Sequence, residues 1–319
     1  MAKPNKEKMR SLNPEFIVAL KDGILNPFLE RVKKDKTLCL EIRENYLNIY
    51  YRGCSISKIE QNKDTNTYTY SFDEKYFKKG TIRLPNKNIL EIEAAKAWVN
   101  CVPILKNIID MSPKGGEREF QQLVVRENND GDIGNSSDYF ICDIEYALGK
   151  ARGRFDLIAV KWRSKGEERK KNKNIGLAFI EMKYGDGAIG GEAGIKKHIR
   201  DFTQFLTENS DKILDEMKNI YNTKIELGLM SGGKKKIESI QRIDKLNKPE
   251  IILLLANHDP EKSGLKKILK ELKDSKEYEE FCEVAELKFS VSSFMGYGLY
   301  EEGLYDLDTF LSRFEKFLK

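Results

Sequence analysis

The sequence predicts an α+β fold in two parts, on three observations. Residues 153–160 and 175–183 are apolar on both faces, as strands buried on both sides are. Residues 194–222 carry Ile195, Ile199, Phe202, Phe205 and Leu206 at helical spacing, an apolar stripe of a long helix. The run Ser112-Pro113-Lys114-Gly115-Gly116 interrupts all periodicity and marks a boundary. It divides a smaller α+β domain, 1–111, from a larger one, 112–319.

Taken in order, residues 15–20 and 26–33 read as short helices, with Pro14 and Pro27 near their starts. Residues 37–51 alternate apolar and polar around Glu44-Asn45, a hairpin pattern. Further strands are expected at 55–59, 67–72 and 81–84. A helix follows from Asn88 to about Met111, with Ile89, Ile92, Ala95, Trp98, Val99 and Val102 on one face and a kink at Pro103. Beyond the boundary the expected order is helix 117–128, strands 138–148, 154–162 and 175–183, helix 194–222, strand 250–256, helix 262–273 and strand 283–291. A helix at 307–318 closes the chain. Residues 163–174 are nearly all polar and read as a hairpin loop.

Composition narrows the function. The 319 residues are 40% hydrophobic with a formal net charge of +5, enough for a substantial core and compatible with phosphate contact. Basic clusters stand at Lys33-Lys34, Arg169-Lys170-Lys171, Lys196-Lys197 and Lys234-Lys235-Lys236. Such runs are ordinarily solvated surface, and the third is the best placed to meet phosphate. Five scattered cysteines form no CxxC pair and no even framework, so they read as reduced thiols of a cytoplasmic protein. The two histidines, His198 and His258, lack zinc-ligand spacing. No nucleophile elbow, Walker loop or membrane-length apolar run occurs. Tyrosines and phenylalanines between Tyr46 and Phe77 read chiefly as sheet packing, with base stacking the other use of such rings.

The chemistry concentrates where the two apolar runs meet. In a hairpin the start of the first strand lies beside the end of the second, so Asp156 falls next to Glu181 and Lys183. Glu181 and Lys183 are two apart and share a face. Uncompensated carboxylates in a buried strand are costly, and a divalent cation, which takes oxygen ligands, would offset them. The other reading is a structural ion pair at a strand end.

Asp156 followed by Glu181-Met182-Lys183 resembles the D…(D/E)-x-K signature of the PD-(D/E)XK, or restriction-endonuclease-like, nuclease superfamily. Phe155 stands where that signature often has proline. Upstream, Lys114-Gly115-Gly116-Glu117-Arg118-Glu119 is similar to the start of the first core helix in resolvase-like members. The resemblance implies a mixed central sheet flanked by helices, and hydrolysis of nucleic acid, DNA ahead of RNA. It implies Mg²⁺ or Mn²⁺ held by Asp156, Glu181 and the Met182 carbonyl, with Lys183 acting on water. Glu117 would face the site, with Glu119 as runner-up, and Gln204 would point back to it from the long helix. A homodimer is compatible with this, a membrane role is not expected, and phage defence, restriction or repair would be the setting. Two alternatives are a catalytically inactive nuclease fold that binds nucleic acid or protein, and an interaction module centred on the N-terminal half.

Overall fold

The computed structural model describes residues 9–62, 65, 67–76, 83–111, 116–130, 137–148, 152–185, 189, 194–231, 237–256 and 264–315. They form a mixed α/β structure with ten helices and two five-stranded sheets. The chain divides into two compact units, one of residues 1–122 with 223–229 and one of 123–222 with 230–319. The helix that follows the sequence boundary thus contributes its first turns to the first unit.

In the first unit, β1 (Leu38–Ile42), β2 (Tyr46–Tyr51), β3 (Cys54–Asn62), β4 (Thr67–Ser71) and β5 (Asn88–Ile89) form an antiparallel sheet in sequence order. The β1–β2 turn falls at Glu44-Asn45 as expected, with Asn45 at φ +55°, a left-handed conformation that asparagine tolerates. Helices α1 (Pro14–Lys21), α2 (Asn26–Lys34) and α3 (Ile92–Asp110) cover one face. Asn13 caps α1 by accepting from the Phe16 amide at 2.8 Å. Phe16 packs edge-on against Tyr68, and Phe28, Tyr70 and Trp98 stack in series at 5.7 and 3.7 Å. Tyr70 and Trp98 keep their polar ends satisfied on the Ile56 and Asn86 carbonyls. Tyr68, Tyr70 and Phe72 are therefore core; Tyr46 and Tyr50 are half-buried.

Two expectations are corrected here. Asn88 and Ile89 are not the start of a helix but a short strand paired with Thr69 and Tyr68, and α3 begins only at Ile92. Arg83 and Leu84 are not in a strand, while residues 81 and 82 lie outside the described residues.

Asp35, just after α2, shows how this unit treats charge. Burial alone would raise its carboxyl, but the Thr37 hydroxyl, Lys106 and Arg31 outweigh burial and hold it at about 2. Its hydrogen bonds to these three run from 2.6 to 2.9 Å. A folded-state value below the ordinary 3.8 contributes stability above about pH 4 that is lost as pH falls toward 2. Asp35→Asn should therefore cost about 1–2 kcal/mol near neutrality, allowing for solvent screening. It should also flatten the acid limb of chemical-denaturation stability measured against pH. An unchanged acid limb would remove this role.

In the second unit the sheet order is β10-β9-β8-β7-β6. Strands β6 (Tyr139–Leu148), β7 (Arg152–Lys161) and β8 (Gly176–Tyr184) are an antiparallel meander, and β9 (Glu250–Ala256) and β10 (Glu286–Val291) run parallel to β8. Strands β8 and β9 are buried along nearly their whole length, as their continuous apolar runs require. Helix α4 (Gly116–Asn129) precedes this sheet, and α6 (Ile195–Glu226) follows β8. Phe202 and Phe205 of α6 pack on Phe155 at 4.9 and 4.7 Å, and Phe205 also meets Phe179. Helices α7 (Leu265–Lys273), α8 (Lys276–Val284), α9 (Ser292–Met295) and α10 (Leu307–Arg313) complete the unit.

The polar segment between β7 and β8 is not simply a loop. It contains α5 (Gly166–Lys171), with Glu167 and Glu168 in its first turn and Arg169, Lys170 and Lys171 in its last, the charge order that complements a helix dipole. Helices α8 and α9 were also unforeseen. Among the described residues, no helix is long and apolar enough to cross a membrane.

Candidate active site at the end of β8

The β7–β8 ladder pairs Leu157 with Ile180 and continues to Lys161 with Gly176. One step past Leu157 the pairing stops, and Asp156 uses its side chain instead: Oδ2 accepts the Met182 amide at 2.8 Å. On the other side β6 keeps one register past this level, with Ile144 facing Leu157 and Tyr146 facing Phe155. Glu145 lies between the partners of Leu157 and Phe155 and adopts φ +52°, a conformation uncommon outside glycine and asparagine. Asp156 thus sits one step past the end of the β7–β8 ladder, and its carboxylate takes the place of a backbone acceptor there.

Glu181 and Lys183 project from the same face of β8, 5% and 3% exposed. Lys183 Nζ donates to Glu181 Oε1 at 2.6 Å. His198 Nε2, on the first turns of α6, approaches the same oxygen at 3.2 Å. The His198 ring lies 5.7 Å from that of Phe202. The expected convergence of Asp156, Glu181 and Lys183 is therefore present: Asp156 binds the amide that follows Glu181, and Lys183 binds Glu181 itself.

Gln204 is placed differently. It is exposed and its amide donates to Glu208 Oε1 at 2.9 Å along its own helix. The α6 residue at Glu181 is His198. Its signal was legible: it stands three residues after Ile195 and four before Phe202, beside the apolar stripe.

Glu117 is half-buried on the first turn of α4, within the first unit. Glu119 is committed to Arg52 through a two-pronged pair, Nε–Oε1 2.7 Å and Nη2–Oε2 3.0 Å. The start of α4 is held there by Gln122, which accepts the Gly53 amide at 2.8 Å and donates to the Thr37 carbonyl. Gly53 has φ +72°, and a Cβ there would lie 2.5 Å from Arg118 backbone, so only glycine fits.

Of the basic clusters, Arg169 is turned inward. Its guanidinium donates to the Ser137, Trp162 and Arg163 carbonyls and lies over the Phe140 ring. Lys33 pairs with Glu30 and Lys196 with Glu271. Lys234-Lys235-Lys236, His258 and most of the glycine-rich stretch after Tyr184 lie outside the described residues.

Chemically, the site offers two carboxylates and a backbone carbonyl as hard oxygen donors, with an ammonium and an imidazole beside them. Among the described residues, no group of three or more His, Cys, Asp and Glu side chains is arranged to hold a metal ion. No family model matches the chain, and no curated protein or solved structure matches it significantly.

Proposed function

We propose that the second unit is a metal-dependent nuclease of the PD-(D/E)XK type, hydrolysing phosphodiester bonds of nucleic acid, DNA ahead of RNA. The observation that carries this reading is Lys183 against Glu181 at 2.6 Å, both buried on β8, with Asp156 bonded to the intervening Met182 amide. The meander β6-β7-β8 followed by α6 and parallel β9 supports a restriction-endonuclease-like core. A cytoplasmic setting in phage defence, restriction or repair, and a homodimer, belong to the same proposal.

The donor set fits a hard cation. Asp156, Glu181 and the Met182 carbonyl would hold Mg²⁺ or Mn²⁺. Mg²⁺ is ordinarily bound by one or two carboxylates, with water and substrate phosphate completing the shell, rather than by an all-protein cage. The absence of a three-residue cage among the described residues is consistent with that habit. The cation supplies Lewis-acid polarisation of the phosphate and a more acidic water. Lys183, fixed by a buried strand, positions the attacking water through its ammonium and offsets charge at the pentavalent transition state. Water displaces the leaving oxygen directly, without a covalent enzyme intermediate. A supporting role for Glu117 rests on the resemblance alone.

The second reading, a nuclease fold that only binds nucleic acid or protein, is favoured by one observation. Glu181 Oε1 is already engaged by both Lys183 and His198. The two readings part on a direct assay. Plasmid, linear duplex, single-stranded DNA and RNA are incubated with Mg²⁺, Mn²⁺ or EDTA, and cation binding is followed by calorimetry. We expect cleavage of at least one substrate with metal and none in EDTA, and Asp156→Ala should lose both cleavage and the cation's heat. Equal binding by wild type and Asp156→Ala, or binding by neither even with nucleic acid, sinks the metal-site reading.

A further inference from the structure

We infer that His198 is a positioning residue for Glu181, fixing the carboxylate as a cation ligand. This rests on Glu181 being a ligand, as proposed above. A glutamate side chain has three rotatable bonds, so a ligating carboxylate must be oriented by its own hydrogen bonds. Lys183 is two residues along the same strand and moves with Glu181. His198 comes from a different element, α6, and so ties the carboxylate to the helix.

The imidazole is itself braced. Its backbone amide donates to the Gly194 carbonyl at 3.2 Å, at the start of α6. Its ring is tilted 38° against Phe202, which packs on Phe155. Its side chain is 23% exposed, so the contact to Glu181 is shielded and geometrically defined. Nε2 lies 3.2 Å from Oε1, beside the Lys183 ammonium at 2.6 Å, so nitrogens from two elements converge on one oxygen. His198 thus adds a tie from α6 that Lys183, on the same strand as Glu181, does not supply.

The probe is Mn²⁺ alone, with free ion counted by electron paramagnetic resonance and no nucleic acid present. His198→Phe keeps a ring against Phe202 and removes the donor; His198→Gln restores an N–H at similar reach. We expect His198→Phe to weaken Mn²⁺ binding tenfold or more, the range that loss of an orienting partner produces. His198→Gln should recover most of it, with the thermal midpoint of each variant close to wild type. Should His198→Phe fail to fold, His198→Ala is read in its place. Wild-type affinity in the Phe or Ala variant overturns the positioning role, as does a Gln variant no better than Phe. No Mn²⁺ bound by the wild type overturns the ligand reading of Glu181 itself, a different outcome from the first two.

Discussion

Lys183→Met should abolish most cleavage while the far-ultraviolet circular dichroism stays that of the wild type. A hydrolase needs the ammonium within reach of the attacking water, held there by a buried strand, and loss of such a group ordinarily costs about 10²–10⁴ in rate. Lys183→Arg should fail nearly as badly, since its planar fork keeps the charge but not the point geometry or the acidity. Nucleic-acid affinity measured in Ca²⁺ should fall only modestly, because one phosphate contact is a small part of the electrostatic term. Removal of Lys183 also leaves Glu181, 5% exposed, without its nearest cation. A lower thermal midpoint is therefore expected alongside lost activity, and Ca²⁺ should raise it. Full cleavage by Lys183→Met would remove the catalytic assignment and leave the binding-only reading.

The largest effect on stability is expected from Lys224→Met. Glu41 on β1 is fully buried and Lys224 is 2% exposed. The ammonium meets both carboxylate oxygens at 2.9 Å, and the Cys39 thiol donates to Oε1 at 3.1 Å. Burial pushes the Cys39 thiol well above its ordinary range, and Glu41 adds to this, so the thiol stays protonated and donates but brings no charge to offset the carboxylate. Breaking such a pair by deleting one partner costs about 3–5 kcal/mol, because the remaining charge stays buried. Replacing both, as in Glu41→Leu with Lys224→Met, should recover most of that loss. The measurement is urea denaturation of the two single variants and the double variant. A double variant no more stable than Lys224→Met would show that the pair holds the fold by more than mutual neutralisation.

The strands of the second unit were legible because continuous apolar runs such as 175–183 have few other uses, and the long helix because Ile195, Ile199 and Phe202 repeat at its spacing. The meeting of Asp156 with Glu181 and Lys183 followed from chain direction alone. Most of what escaped was non-local, helix α8 excepted. Ile89 fits the periodicity of α3, yet Asn88 and Ile89 pair with Thr69 and Tyr68, a preference that belongs to β4. Helix α8 depends on Ser275 accepting the Tyr278 amide, a local cap that was there to be read. Glu41 stands at a polar position of an alternating strand yet is fully buried, and its bonded lysine lies 183 residues away. Gln204 matches the resemblance by residue type yet is exposed, whereas the apolar spacing of Ile195 and Phe202 carries His198 to Glu181.

The membership of residues 223–229 in the first unit has a consequence for biosynthesis. Folding during synthesis generally proceeds from the N-terminal side, domain by domain. Here the first sheet emerges from the ribosome before Lys224, which donates to both Glu41 oxygens in the folded chain, has been made. The first unit therefore cannot reach its final state as an early, independent step. Its completion is delayed until after β6, β7 and β8 exist, so the nascent chain passes through a long interval in which β1 lacks its contact to Lys224.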